Sequence, residues 1–70
     1  MQRMSIVSSN IASIGYDATE QILEVEFKTG AVYAYSSLPR EVYEGLINSV
    51  SHGKYFAARI KNVYVSSRIR

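Results

Sequence analysis

The sequence predicts an α+β domain in which a three-stranded antiparallel meander is followed by two helices packed on one sheet face. Three observations carry this. Leu23, Val25 and Phe27 alternate with Glu24, Glu26 and Lys28, the period-two pattern of a half-buried strand. Thr29-Gly30 then offers a tight turn into a second strand-like segment, Ala31–Tyr35. Beyond Pro39 the period changes, with Val42, Leu46 and Val50 at i, i+4 and i+8.

The elements follow in order. Met1–Asn10 is polar and serine-rich, and residues 1–8 are expected to be mobile unless Ile6–Val7 extends the first strand. Ile11–Tyr16 reads as that strand, with Ala12, Ile14 and Tyr16 on one face. Asp17-Ala18-Thr19-Glu20 reads as a turn, because Asp at its start can accept from its own backbone. Ile22–Lys28 and Ala31–Tyr35 complete the meander. Ser36-Ser37-Leu38-Pro39 breaks the sheet and opens a helix. Pro39 suits the first helical position, where its missing N–H is not needed, and Glu41 suits the first turn. That helix is expected to run to about Val50, with Tyr43 and Ile47 beside its apolar stripe. Gly45 within it costs about 1 kcal/mol against alanine, unless it allows a close approach to the sheet. Ser51 can cap a second helix from about His52 to Lys61, ended by Asn62. Phe56, Ile60 and Val63 face the core on that reading, while Lys54, Ala58 and Lys61 fall elsewhere. Val63-Tyr64-Val65 is expected as a short C-terminal strand or an extended tail, with 66–70 mobile.

The 70 residues make one domain, near the lower size limit for folding alone. Its net stability should be only about 3–5 kcal/mol. With no cysteine there is no disulfide and no thiolate site, and one histidine, His52, cannot build a metal site alone; no metal or cofactor is expected. No apolar run approaches the ~20 residues of a membrane span, and Met1–Asn10 lacks a signal-peptide pattern, so a cytoplasmic location is the expectation. Charge is uneven. Residues 1–35 carry Arg3 and Lys28 against Asp17, Glu20, Glu24 and Glu26, whereas from Ser51 onward Lys54, Arg59, Lys61, Arg68 and Arg70 face no acid at all. Such a basic third can attract a polyanion, or simply keep a small domain soluble.

Reactive groups are scarce. Glu24 and Glu26 mark the solvent side of an amphipathic strand. His52 has no acid after Glu44 to orient it, and a Ser-His-Gly junction suits a capping or loop role. No phosphate-binding glycine loop is present. The chain is not expected to be an enzyme.

Six tyrosines in 70 residues are the compositional excess to explain. A two-residue hairpin loop would set Tyr33 and Tyr35 among Glu24 and Glu26 on the outer sheet face, where they could stack bases. A three-residue loop with a glycine bulge would set Val25 across from Tyr33 and turn both tyrosines to the core. The sequence leaves both registers open. Tyr55 adjoins Phe56, one of the two being core, and Arg59 lies at i+4 from Tyr55, within stacking reach.

The stretches SSNIASIGYD, LEVEFKTGAVYAY, LPREVYEGLINSVSHGKYF and IKNVY, with the Tyr33-Ala34-Tyr35 pair and the spacing through Gly30, Pro39, Tyr43, Ser51, Gly53 and Phe56, resemble the KTSC domain over about Ser8–Tyr64. That family occurs at the C-terminus of some lysyl-tRNA synthetases and as stand-alone bacterial or phage proteins. The resemblance implies a small binding domain, with nucleic acid, RNA in particular, as the partner that the synthetase fusion suggests. On this expectation Lys54, Arg59, Lys61, Arg68 and Arg70 contact phosphates and Tyr33, Tyr35 or Tyr55 stack bases. The alternative is a protein-interaction module or small homo-oligomer that uses the open edge of the Ile11–Tyr16 strand.

Overall fold

A computed structural model of the protein describes residues 3–70. Its elements are β1 (Met4–Ser5), β2 (Ile11–Asp17), β3 (Ile22–Phe27), β4 (Val32–Tyr35), α1 (Arg40–Asn48), α2 (His52–Arg59) and β5 (Ser66–Arg68). The fold is α+β, with one antiparallel sheet in the order β1-β2-β3-β4-β5 and two helices packed on it. Among the described residues the sheet has five strands, where the sequence pattern indicates three and a possible short C-terminal strand over Val63–Val65, three residues before the observed β5. Both added strands come from the segments expected to be mobile: Met4 pairs with Ile14, and Ser66 with Tyr35. Of residues 1–8, the first two lie outside the described residues. The Ile11–Tyr16 strand is consequently not an open edge, since β1 lies beside it.

One extra residue reshapes β2. Ile11 pairs with Phe27 but Ser13 already pairs with Glu26, so Ala12 forms a bulge. A bulge shifts the alternation by one. Ile11 therefore joins Ile14 on the core face, both fully buried, and Ala12 does not take the core position that strict alternation from Ile14 assigns it. Ser13 turns to the outer face and donates to Glu26 Oε1 at 2.7 Å. The turn into β3 has the expected form, with Asp17 Oδ1 accepting from the Thr19 and Glu20 N–H groups at 3.0 and 3.1 Å.

The core lies between the helices and one sheet face, built from Ile11, Ile14, Leu23, Val25, Tyr35, Leu38, Leu46, Phe56 and Ile60. Leu38 plugs one end. Its N–H reaches the Gln21 carbonyl at 3.0 Å, and its own carbonyl accepts from the Tyr16 hydroxyl at 2.6 Å. Tyr16 in turn stacks on Tyr43 of α1 at 4.6 Å.

Both helices end earlier than their apolar spacing implies. Pro39 is the N-cap of α1 rather than its first helical residue. At the other end, the Leu46 carbonyl accepts from the Ser49 hydroxyl at 2.9 Å and from His52 Nδ1 at 2.8 Å. These side-chain donors satisfy a terminal carbonyl and stop the helix. Val50, expected in the stripe, is fully exposed. In α2, Ser51 accepts from the Lys54 N–H as the expected cap. The helix stops at Arg59, and Asn62 sits at φ +64, a left-handed conformation that reverses the chain. Val63 is thereby 62% exposed instead of core-facing. Gly45 serves close packing between helices rather than against the sheet: a Cβ there would lie 2.7 Å from Cζ of Tyr55.

Leu46 and Val50 occupy the same helical stripe in the sequence but opposite environments in the fold. Leu46→Ala should lower unfolding free energy by about 2–5 kcal/mol, whereas Val50→Ser should change it by less than about 0.5 kcal/mol. Urea denaturation of the two variants checks this, and equal losses would contradict the early end of α1.

Candidate functional site

The hairpin between β3 and β4 positions the site. Gly30 has φ +98 and donates its N–H to the Phe27 carbonyl at 2.9 Å, while the Phe27 N–H reaches the Ala31 carbonyl at 2.9 Å. Lys28-Thr29-Gly30 is thus a three-residue loop whose last residue needs the positive φ that glycine tolerates. The pairs that follow are Val25 with Tyr33 and Leu23 with Tyr35. Of the two registers open to the sequence, this one turns both tyrosines to the helix side.

There they meet two phenylalanines. Phe56 packs edge-on against Phe27 and Tyr35, each at 5.5 Å between centroids, and Phe27 packs edge-on against Tyr33 at 5.9 Å. The four rings do not close over. They line a groove of about 370 Å³, together with Lys61 and Asn62 from the turn after α2 and with Asn10 and Ser66. Arg68 flanks it, because Arg68 is the β5 residue directly across from Tyr33 and opposed residues share a sheet face. Its Nε donates to the Arg70 carbonyl at 3.2 Å.

A second depression adjoins the groove and shares Asn10, Gly53 and Ala57 with it. Lys54, Val7, Val50 and His52 stand around that part. Gly53 lets the β1–β2 loop come near: a Cβ there would lie 3.2 Å from Asn10 Oδ1 and 3.5 Å from Ser8 Oγ.

The acids are elsewhere. On the opposite sheet face Glu24 meets Arg3 at 3.4 Å, and Glu26 meets Arg70 at 3.5 Å as well as the Ser13 hydroxyl. These half-exposed pairs contribute little to stability, about 0–1 kcal/mol each. Their effect is to hold negative charge away from the aromatic groove.

Of the residues singled out by sequence, Tyr33, Tyr35 and Lys61 come together in the groove, Arg68 flanks it and Lys54 lines the adjoining depression. The other three do not join them. Arg70 turns to Glu26, Tyr55 packs against Gly45 between the helices, and Arg59 is exposed on α2. Among the described residues Arg59 makes no stack with Tyr55. Sequence reasoning missed Phe27 and Phe56 as groove residues, since core-facing periodicity accounts for them, and it read Asn62 only as a helix stop. Its position beside Lys61 was the available signal. His52 is a capping residue for α1. Among the described residues no carboxylate or imidazole lines the groove, and no three His, Cys, Asp or Glu side chains gather.

Comparison with known proteins places this geometry in context. Residues 7–64 match the model of the KTSC domain. An uncharacterized protein of Stutzerimonas stutzeri is 46% identical over 56 residues, covering 80% of this chain and 79% of that protein. A lysine–tRNA ligase of Trichormus variabilis is 41% identical over 56 residues, which span 80% of this chain but 10% of the ligase. The crystal structure of a KTSC domain protein from Yersinia pestis superposes with a TM-score of 0.96 at 33% identity, covering 99% of this chain and 97% of that one.

Tyr35 is only 5% exposed, and burial, with a smaller contribution from Tyr33, raises its pKa above the ordinary tyrosine value. Burial raises that of Tyr16 too, against an opposing effect of Arg40. A folded-state pKa above the unfolded one means the folded protein holds the proton more tightly. The associated stability is complete below the unfolded-state pKa of about 10 and is lost as pH rises through the folded value. Alkaline titration of tyrosinate absorbance should therefore show a late phenol that is missing in Tyr35→Phe, with the urea midpoint falling across that range.

Proposed function

We propose, for a chain that belongs to the KTSC domain family, the function of a non-catalytic module that binds single-stranded nucleic acid, with RNA as the partner. The observation that carries this is the convergence of Tyr33, Tyr35 and Lys61 on one groove, with Arg68 across from Tyr33. Aromatic rings beside cations suit a single strand: a base stacks for about 1–3 kcal/mol and each nearby cation neutralises a phosphate. Glu24 and Glu26, which would repel the strand, lie on the other face and are paired with Arg3 and Arg70. Lys54 extends the path, since its depression is continuous with the groove over Gly53. RNA is favoured over DNA because relatives of this chain form a tenth of three lysine–tRNA ligases, whose names give tRNA as their substrate. The groove's lining has no acid–base pair for chemistry, which supports a binding role.

Three cations, Lys54, Lys61 and Arg68, should release about two counterions from a single strand, giving a log–log salt slope near −2. Labelled single-stranded RNA titrated at several salt concentrations measures this. Lys61→Glu with Arg68→Glu should abolish binding, while Arg59→Glu should leave most of it. Absence of binding at low salt, or equal sensitivity to Arg59→Glu, would rule the reading out.

One observation favours a second reading. Among the described residues β5 is paired on one side only, and Val65 and Ile69 flank it at 79% and 52% exposure. Such an edge can accept a strand from a protein partner or a second copy. Self-association through it would appear as a concentration-dependent mass in sedimentation that Val65→Lys with Ile69→Lys removes. A monomer at every concentration excludes the homo-oligomer.

A further inference from the structure

Tyr35 carries a hydroxyl that no other described residue engages. The side chain is almost buried, and its ring is held edge-on by Phe56. Its hydroxyl makes no hydrogen bond among the described residues, yet it is not sealed inside, since no buried polar side-chain atom lacks a partner. Tyr35 is one of the residues that line the groove. Phenylalanine would fill the same core position without presenting a donor to be satisfied. The oxygen therefore points to an acceptor that enters the groove.

The rest of the lining narrows what that acceptor belongs to. Phe27, Tyr33 and Phe56 offer apolar ring surface for a flat partner. Asn62 is fixed at φ +64 beside Lys61, and its carboxamide has no hydrogen-bond partner among the described residues. Asn10 accepts from Ser8 through Oδ1, which leaves its two amide N–H donors. A carboxamide sets a donor next to an acceptor, the arrangement that matches the edge of a nucleobase. A volume of about 370 Å³ is small for a ligand site; pockets run from roughly 300 to 1,000 Å³. It suits one nucleoside and leaves no room for a stacked series.

We infer that the groove is a pocket for one unpaired nucleobase, with an acceptor atom of the base on the Tyr35 hydroxyl, the base edge read by Asn62, and the adjoining phosphate on Lys61. This rests on the nucleic-acid reading above and sharpens it. A base inside a duplex has its Watson–Crick edge occupied and its faces stacked, so the pocket takes bases from single strands, loops or ends.

Nucleoside 5′-monophosphates test the pocket directly, with ribose 5-phosphate as the probe that lacks a base. Titrated against the intact chain in heteronuclear NMR, a nucleotide should shift the amides of Asn10, Gly53, Phe56, Lys61 and Asn62, and ribose 5-phosphate should bind far more weakly. Tyr35→Phe keeps the ring and should weaken the nucleotide about three- to tenfold, the loss of one hydrogen bond. Asn62→Gly keeps the left-handed turn and should weaken it similarly. If ribose 5-phosphate matches the nucleotides, or Tyr35→Phe changes nothing, the base pocket is overturned. If single-stranded RNA binds but nucleotides leave those amides unmoved, the pocket fails and the nucleic-acid reading stands. If neither RNA nor nucleotide binds, both fail.

Discussion

Gly30 donates its N–H to the Phe27 carbonyl at a positive φ, and the register of that hairpin decides what both faces of the sheet become. With one residue fewer in the loop, Tyr33 and Tyr35 would stand among Glu24 and Glu26, and the helices would pack against Val32 and Ala34 instead. A single-residue slip moves every side chain of a strand to the other face. In the register present, Val25, Leu23, Tyr33 and Tyr35 share the helix side. The aromatic groove, the Phe56 contacts and the separation of acids from the tyrosines all follow from it.

The chain's two ends complete what the hairpin begins. Arg3 and Arg70 reach the outer face from opposite ends of the sequence and meet Glu24 and Glu26. β5 does two things at once. It covers the edge of β4, and it lines the groove through Ser66 and flanks it with Arg68. Its three residues are all exposed, so it holds on by ladder hydrogen bonds with little apolar burial. Segments of that kind open at low free-energy cost. On the proposed function, a ligand held between α2 and β5 would gain from a formed β5 and stabilise it in return.

How far the sequence could be read depended on whether a residue's burial or its hydrogen bonds settled its place. Alternation in Ile22–Lys28 located β3, and the Ser51 cap located α2, because each pattern reports one dominant interaction. Val50 and Val63 were misplaced because periodicity assumes that a helix continues. Ser49 and His52 end α1 through the Leu46 carbonyl, and Asn62 reverses the chain after α2; side-chain donors and one left-handed residue overrode the spacing. β1 and β5 are short and polar, with no alternation to find, and exist by pairing with strands already formed. At the site, residue types were legible and convergence was not. Tyr33, Tyr35, Lys61 and Arg68 meet only in one hairpin register with α2 ending at Arg59. Arg70 and Tyr55 carried the same chemical signal but are claimed by Glu26 and Gly45.

A domain this small has few side chains to divide between folding and binding, and on the proposed function its aromatic residues would serve both. Phe27, Tyr35 and Phe56 belong to the packed core or rest against it, and they also line the groove. Truncating any of them would confound lost stability with lost binding, since a large core deletion costs about 3–5 kcal/mol, comparable to everything a domain of this size has. The Tyr35 hydroxyl is the exception. It makes no hydrogen bond among the described residues and is not a sealed polar atom, and phenylalanine would keep the ring, so its removal separates the two roles. The lysine and arginine at the rim are separable for the opposite reason, being exposed and absent from the core. On the proposed function, binding would rest on atoms that the core can do without: one phenol oxygen, one carboxamide and the cationic groups of Lys54, Lys61 and Arg68, positioned by rings that the fold needs in any case.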